Sequence, residues 1–339
     1  MDKKEALAGK TPEELKSLSL SLGMPAFTAG QIAGWLYRKK VETIDEMTNI
    51  SIAHRNKLNE NYTTGRITFA RKQESGDGTI KYLFPTSGKH FVESVWIPDK
   101  ERATLCVSSQ AGCKMNCLFC MTGKQGFAGQ LPASDLLNQI LSVPESGRLT
   151  NIVFMGMGEP LDNTAELFKA LDILTSNEGF AWSPKRITVS TIGILPGLKR
   201  FLSERQEHLA ISLHSPFHDE RMSWMPVEKA YPLAEILHLI RQYDFSHQRR
   251  VSFEYILFGG LNDDLRHADA LVRLLKGIPC RVNLIKYHPV PQVGLPASES
   301  HSMTLFRDYL NSKGVICTIR ASKGEDILAA CGMLSTGNL

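Results

Sequence analysis

No stretch of the 339-residue sequence approaches the roughly 20 consecutive apolar residues that a membrane-spanning helix requires. The first residues, MDKKEALAGKTPEELK, are polar and helix-forming, with neither the apolar core of a signal peptide nor the character of a transit peptide. Neither sign of charge dominates. Lys and Arg number 39 against 35 Asp and Glu, a net +4 that permits a polyanionic partner without demanding one. Low-complexity segments and short-period repeats are missing. Cysteine is scarce at seven, and its odd number and uneven placement do not suit the disulfide framework of a secreted protein. What these absences leave is a reduced, cytoplasmic protein without membrane attachment, whose thiols do chemistry. The hydrophobic share of 42% and charged share of 22% are ordinary for a globular fold. The length suffices for one large α/β domain and a small accessory domain.

Residues 11–62 read as helices. Thr11-Pro12-Glu13-Glu14 is a capping box with proline at the first helical position, Thr28 with Gln31 opens a second helix, and SIAHRNKLNENY a third. The period then changes to that of strands. RITFARK and TIKYLF flank the turn Ser75–Gly78, and FVESVWIP and RATLCVSS flank Asp99-Lys100-Glu101. Further strands are expected at 150–156, 186–190, 208–214, 250–258 and 281–285, with helical stretches such as SDLLNQIL, TAELFKALDILT and LRHADALVRLLK between them. Counting RATLCVS first, six βα-type units follow one another. Repeated β-then-α implies a parallel sheet, and six units fall short of a closed eight-fold barrel. The expected architecture is α/β: a partial, open βα barrel. The domain reading is an N-terminal helical accessory domain with short strands (1–90), a barrel core (91–325) and a C-terminal segment (326–339) carrying Cys331.

Three cysteines fall within eight positions, as Cys113-x3-Cys117-x2-Cys120 with Phe119 before the third. Zinc is one reading. It requires four ligands, usually as two separated pairs, and here only Cys106, seven residues upstream in a strand pattern, is near enough to complete the set. The other is a [4Fe–4S] cluster held by three thiolates, which leaves one iron open to chelate S-adenosylmethionine. C-x3-C-x-aromatic-C is the ligand pattern of radical S-adenosylmethionine enzymes, and the loop matches each defined position. Context favours the cluster. The loop follows the first strand of the alternation, Gly156-Met157-Gly158-Glu159-Pro160 follows the second, Ser190 ends the third, Ser212-Leu213-His214 the fourth, and His288 follows the sixth. In a βα barrel the C-terminal strand ends share one rim, where sites form. Each feature alone is an ordinary turn or helix cap; their common position is not.

ATLCVSSQAGCKMNCLFC, GMGEPL, VSTIG, SLHSP, VNLI and GEDILAACG, in that order, closely resemble the RlmN/Cfr family of radical S-adenosylmethionine RNA methyltransferases. The resemblance implies Cys113, Cys117 and Cys120 as cluster ligands. It implies Gly158, Glu159, Ser190, Ser212, Leu213 and His214 as S-adenosylmethionine contacts, with His288 where the family commonly has asparagine. Cys331 matches the cysteine that receives and presents a methyl group, and Cys106 the one that resolves the protein–RNA adduct through a transient disulfide. One S-adenosylmethionine methylates Cys331, and a second gives the radical that activates that S-methyl group for addition to adenine. Glu93, on the same strand face as Phe91, Val95 and Ile97, matches the proposed proton acceptor. Desolvation there raises a carboxylate pKa, which suits that task.

The implied partners are 23S rRNA and transfer RNA, with a low-potential electron donor such as flavodoxin, acting on a monomer. The target adenosine is expected unpaired or flipped. Lys185-Arg186, Lys199-Arg200, Gln248-Arg249-Arg250 and Tyr37-Arg38-Lys39-Lys40 are candidate phosphate contacts, each also readable as solvated surface. The leading activity is carbon-2 methylation. Carbon-8 methylation, a radical enzyme activating another protein, and a zinc-stabilised RNA-binding module are the alternatives. The radical enzyme activating another protein gives Cys106 and Cys331 no task.

Overall fold

The computed structural model describes residues 4–246 and 250–336. Ten strands form the main sheet among these residues. In chain order, β1 (Glu5–Ala6) and β2 (Tyr62–Thr63) make a small parallel pair outside it. The main sheet takes β3 (Arg71–Glu74), β4 (Ile80–Pro85), β5 (Phe91–Asp99) and β6 (Arg102–Cys106); β7 (Gln110–Gly112) and β8 (Phe127–Gln130) form a separate hairpin around the cysteine loop. The main sheet continues with β9 (Asn151–Phe154), β10 (Ile187–Thr191), β11 (His208–Ser212), β12 (Val251–Leu257), β13 (Cys280–Lys286) and β14 (Cys317–Ile319).

The strand order is β14-β13-β12-β11-β10-β9-β6-β5-β4-β3. From β6 to β14 every pairing is parallel, and from β6 back to β3 every pairing is antiparallel. The expected α/β, open, partial βα barrel is what forms, with seven parallel strands instead of six. The extra one, β14, is three residues long, too short to show a period in the sequence. A crossover helix at Leu195–Glu204 also escapes the pattern, because Pro196 and Gly197 open it. Proline is tolerated in a first helical turn. A Cβ on Gly197 would lie 2.7 Å from the Leu161 carbonyl oxygen, so the helix packs this closely only with glycine there. Strand character expected from Arg66 begins only at Arg71. Ile67 gives both backbone groups to the Asn138 side chain, at 2.8 and 2.9 Å, instead of to a neighbouring strand.

The N-terminal helices form as their caps dictate. Thr11 Oγ1 accepts from Glu14 N–H at 3.2 Å, and Glu14 Oε2 accepts from Thr11 N–H at 2.8 Å. The helical unit is fastened to the barrel by the basic run read above as a phosphate contact. Tyr37 is buried against Phe180, with ring centroids 5.3 Å apart. Arg38 donates to the Asn177 and Gly179 carbonyls, and Lys40 Nζ lies 2.8 Å from both oxygens of Ser146. Arg200 pairs with Glu204 at 3.0 Å. Gln248 and Arg249 lie outside the described residues.

The two free edges of the main sheet, β3 and β14, are bridged by the chain's own end. Asp326 accepts from Ser75 Oγ at 2.6 Å and Gly76 N–H at 3.2 Å, and Gly324 N–H donates to Asp77 at 3.1 Å.

Candidate active site

Seven strands running the same way bring their C-terminal ends to one rim. There β6 ends at Cys106 and leads into the cysteine loop, β9 leads into Gly156–Pro160, and β10 and β11 end at Thr191 and Ser212. A chamber of about 180 Å³ opens at this rim. Its walls include Cys106, Cys113, Cys117, Cys120, Gly158, Glu159, Ser190, Ser212, His214 and Cys331. All the site residues expected from sequence meet here except Glu93, Leu213 and His288.

Local packing explains several of these residue types. Phe119 is buried with its ring edge-on to His214 at 4.9 Å and tilted against Phe258 at 5.9 Å. The aromatic before the third cysteine therefore ties the loop to the β11 end. Gly158 has φ +94° and lies so near Gln110 that a Cβ would approach its side chain to 2.4 Å; only glycine fits. The Glu159 carboxylate is spent on the loop itself, accepting from Leu161 N–H at 3.0 Å, Thr191 Oγ1 at 2.5 Å and Ile192 N–H at 3.0 Å. Burial still pushes it up to about 7, against those hydrogen bonds. His214 sits at φ +59° with Nδ1 accepting from Ile256 N–H at 3.1 Å, which leaves the proton on Nε2. Burial, helped by the Arg221 charge, lowers it to about 3, so it is a neutral imidazole at neutral pH.

All seven cysteines are free thiols, so the Cys106–Cys331 disulfide implied by the resemblance is not formed in this state. Burial pushes Cys113 up to about 12 and Cys117 well above the ordinary thiol range; for Cys117 the neighbouring Cys120 and Cys113 push the same way. Thiols so close together repel one another as thiolates, and burial of Cys113 and Cys117 adds to the cost of charging them, which calls for a cationic centre between them. Among the described residues, no three His, Cys, Asp or Glu side chains already converge on one point. Three separate sulfur positions lining the chamber suit a multi-iron cluster, three of whose irons would each take one thiolate. The donor set is wholly sulfur, as such a cluster requires.

Leu213 is buried in the core; its N–H donates to the Glu254 carbonyl at 3.0 Å and its carbonyl accepts from Arg221 Nε at 3.1 Å. His288 Nε2 lies 3.0 Å from Ser322 Oγ and Nδ1 3.8 Å from Glu325, away from the chamber wall. Glu93 lines a second, adjacent cavity.

Two residues that matter here carry no motif in the sequence: Arg320, just past the three-residue β14, and Arg221, in the short helix His218–Trp224. Arg320 reaches the cysteine chamber beside Cys106 and Cys331, held by Glu254 at 3.3 Å. Arg221 is fully buried beneath the rim; it donates to the Ile192, Ser212 and Leu213 carbonyls and pairs with Glu228. It ties together the loops after β10 and β11. An arginine followed seven residues later by a glutamate, next to S-L-H, is the one trace of this in sequence.

Residues 107–272 match the Radical SAM superfamily, and residues 6–63 match the ribosomal RNA large subunit methyltransferase N-terminal domain. The chain is 63% identical, over 98% of its length and 97% of the relative's, to a probable dual-specificity RNA methyltransferase RlmN from Parabacteroides distasonis. A dual-specificity RNA methyltransferase RlmN from Anaeromyxobacter dehalogenans is 41% identical, covering 95% of this chain and 90% of that one. A crystal structure of a radical SAM methyltransferase from Sphaerobacter thermophilus superposes with TM-score 0.92 at 38% identity, covering 97% of this chain and 99% of that one. The cofactors are accordingly a [4Fe–4S] cluster and S-adenosylmethionine, and the chain belongs to the RlmN family of radical S-adenosylmethionine RNA methyltransferases.

Proposed function

We propose that this enzyme methylates carbon 2 of an adenosine in 23S rRNA, and of an adenosine in transfer RNA, by carrying the methyl group on Cys331. The observation that carries this reading is the meeting of Cys331 and Cys106 in the chamber that the three loop cysteines line. Cys113, Cys117 and Cys120 are assigned as the cluster ligands. Gly158, Glu159, Ser190, Ser212 and His214 are assigned to S-adenosylmethionine, with Leu213 and His288 holding the surrounding loops. When bound, the cluster supplies the electron that splits S-adenosylmethionine.

The chain's own residues do the rest. Carbon 2 of adenine is electron-poor and a weak nucleophile toward an ordinary methyl donor, so the methyl group is first placed on Cys331, an exposed thiol on the C-terminal segment. The S-methyl group gives up a hydrogen atom to the radical derived from S-adenosylmethionine and its carbon bonds to the ring. The unpaired electron of that adduct is then removed, for which the bound cluster would supply the acceptor, and Glu93 takes the ring proton. Cys106 then attacks the Cys331 sulfur. A sulfur–sulfur bond forms, the carbon–sulfur bond breaks with its electron pair going to the base, and the base takes up a proton. A dithiol reductant returns both cysteines to thiols.

A low-potential carrier of the flavodoxin kind is proposed as electron donor, the chain as a monomer, and the reducing cytoplasm as its compartment, where free thiols persist. Among the described residues no helix is long and apolar enough to cross a membrane. We assign residues 1–90 to RNA-contacting accessory structure, 91–325 to the barrel and 326–339 to delivery of Cys331.

Paired variants test the roles. Cys331→Ala is expected to assemble the cluster, with unchanged iron content, yet to leave no methyl group on the protein and none on RNA. Cys106→Ala is expected to load the methyl group and then accumulate a covalent protein–RNA adduct, visible as a gel shift resistant to denaturant. A fully active Cys331→Ala enzyme overturns the carrier role. Mass and chromatographic analysis of product nucleosides is expected to place the methyl on carbon 2; a product methylated only on carbon 8 overturns that assignment.

A further inference from the structure

Beside the cysteine chamber lies a second cavity of about 330 Å³. Its inner wall carries Glu93 and Lys81. Antiparallel pairing of β4 with β5 sets Leu83 opposite Glu93 and Lys81 opposite Val95, so Lys81 is the diagonal neighbour of Glu93 on one sheet face. Lys81 Nζ lies 3.0 Å from Glu93 Oε1. Lys81 is 8% exposed and Glu93 6%. The other carboxylate oxygen, Oε2, accepts from Ser335 N–H at 2.9 Å, and Lys81 Nζ also lies 3.5 Å from the Leu328 carbonyl. Both oxygens of the carboxylate are thus covered, one by a side-chain cation and one by the backbone of the segment that carries Cys331.

A buried ion pair stabilises little relative to apolar residues of equal volume. Set into a cavity wall instead of a core, this pair points to use. The other charged groups around the cavity are the exposed Arg71 and Lys72 of β3 and Asp326 of the C-terminal segment. The Cys106 thiol stands opposite Val95 on β6.

We infer that Lys81 is the positioning residue for the proton acceptor: it keeps Glu93 ionised and aimed into this cavity, while Ser335 N–H occupies the oxygen that receives the substrate proton until the C-terminal segment moves aside. The inference rests on the reading of Glu93 as the base. In the transfer itself, the ring proton bonds to the Glu93 oxygen that Ser335 vacates, and the carbon–hydrogen bonding pair stays with the ring. The ion pair with Lys81 becomes a hydrogen bond to a neutral acid. Movement of one segment then both delivers the methyl carrier and unmasks the base.

The sign of the effect follows from the local balance. Burial raises the Glu93 pKa and the Lys81 charge opposes it. Removing Lys81 leaves burial opposed only by the Ser335 N–H, and by nothing once that segment moves aside, so the carboxyl holds its proton to higher pH and is a poorer base at neutrality.

The test uses full-length enzyme with its cluster reconstituted and an RNA substrate. Methyl loading of Cys331 is followed by peptide mass and adduct resolution by quenched gel shift between pH 6 and 9. Lys81→Met is expected to load Cys331 at the wild-type rate but to resolve the adduct at least about tenfold more slowly at pH 7, with the acid limb displaced upward by about one pH unit. Lys81→Arg is expected to restore the wild-type limb. Glu93→Gln is expected to lose the limb altogether. If Lys81→Met keeps the wild-type rate and limb while Glu93→Gln does not, the role of Lys81 is overturned and that of Glu93 stands. If Glu93→Gln resolves the adduct normally, the base assignment fails, and the Lys81 role with it. Should Lys81→Met lose methyl loading, Lys81→Arg decides: an unmoved limb supports the charge role and a displaced one overturns it.

Discussion

The two cavities at the barrel rim are built from different chemistry. The cysteine chamber is walled by five thiols, with the buried Glu159 and Glu254 and one cation, Arg320. Its neighbour has no thiol but three cations, Arg71, Lys72 and Lys81, set against Glu93 and Asp326. One stretch of backbone separates them. Leu328, Met333 and Ser335 face the charged cavity, while Ala329 to Gly332 and Leu334 face the thiols. On the roles proposed above, sulfur and electron chemistry is housed apart from proton chemistry, and Cys331 sits on the partition between them.

Emptying the sulfur side is the harshest way to break that division. Cys117→Ala removes a thiol that burial and two neighbouring cysteines hold protonated without metal. The expected outcome is loss of iron and of the brown chromophore, with methylation below detection, measured by iron analysis and visible absorbance of anaerobically purified protein. A smaller effect is expected within the same chamber from Arg320→Met. Burial pushes the Cys106 thiol up to about 12, the Cys331 charge adds to this and the Arg320 charge opposes it. Without Arg320 the thiolate becomes rarer still, so adduct resolution at pH 7 is expected to slow by about tenfold and to recover as pH rises, with the cluster spectrum unchanged. The mildest change loosens the boundary at the wall of the charged cavity, away from Lys81 and Glu93. Asp326→Ala cuts the tie to Ser75 and Gly76. Limited proteolysis is expected to cleave the C-terminal segment several-fold faster, with the melting temperature of the barrel unmoved.

Much of this arrangement was legible in the sequence, and the failures have physical causes. The cysteine spacing, the Gly-Glu turn and the serines at strand ends are local signals, and topology carries local signals to a common rim. The alternation of strands and helices gave the sheet, because six crossovers leave few other ways to pair the strands. What escaped was whatever depends on contacts distant in sequence. Lys81 looks like a surface cation until register turns it inward, and Arg320 until its pairing with Glu254 is seen. The basic run at Tyr37–Lys40 resembles a phosphate contact until its partners at 146 and 177–180 are seen. The separation of Glu93 from the thiols is made by a segment more than two hundred residues further along, and no local pattern announces it.

The docking of the helical unit has a consequence of its own. Tyr37 packs at a tilt against Phe180, Arg38 grips two carbonyls, Lys40 clasps Ser146 and Lys169 holds Glu14 at 2.7 Å. Fastened at so many points, the accessory part keeps a fixed offset from the barrel mouth. On the proposed contact of both parts with RNA, a long polymer lying across them is gauged as if between the jaws of a caliper, and selection among RNA shapes becomes a matter of span as much as of chemical contact.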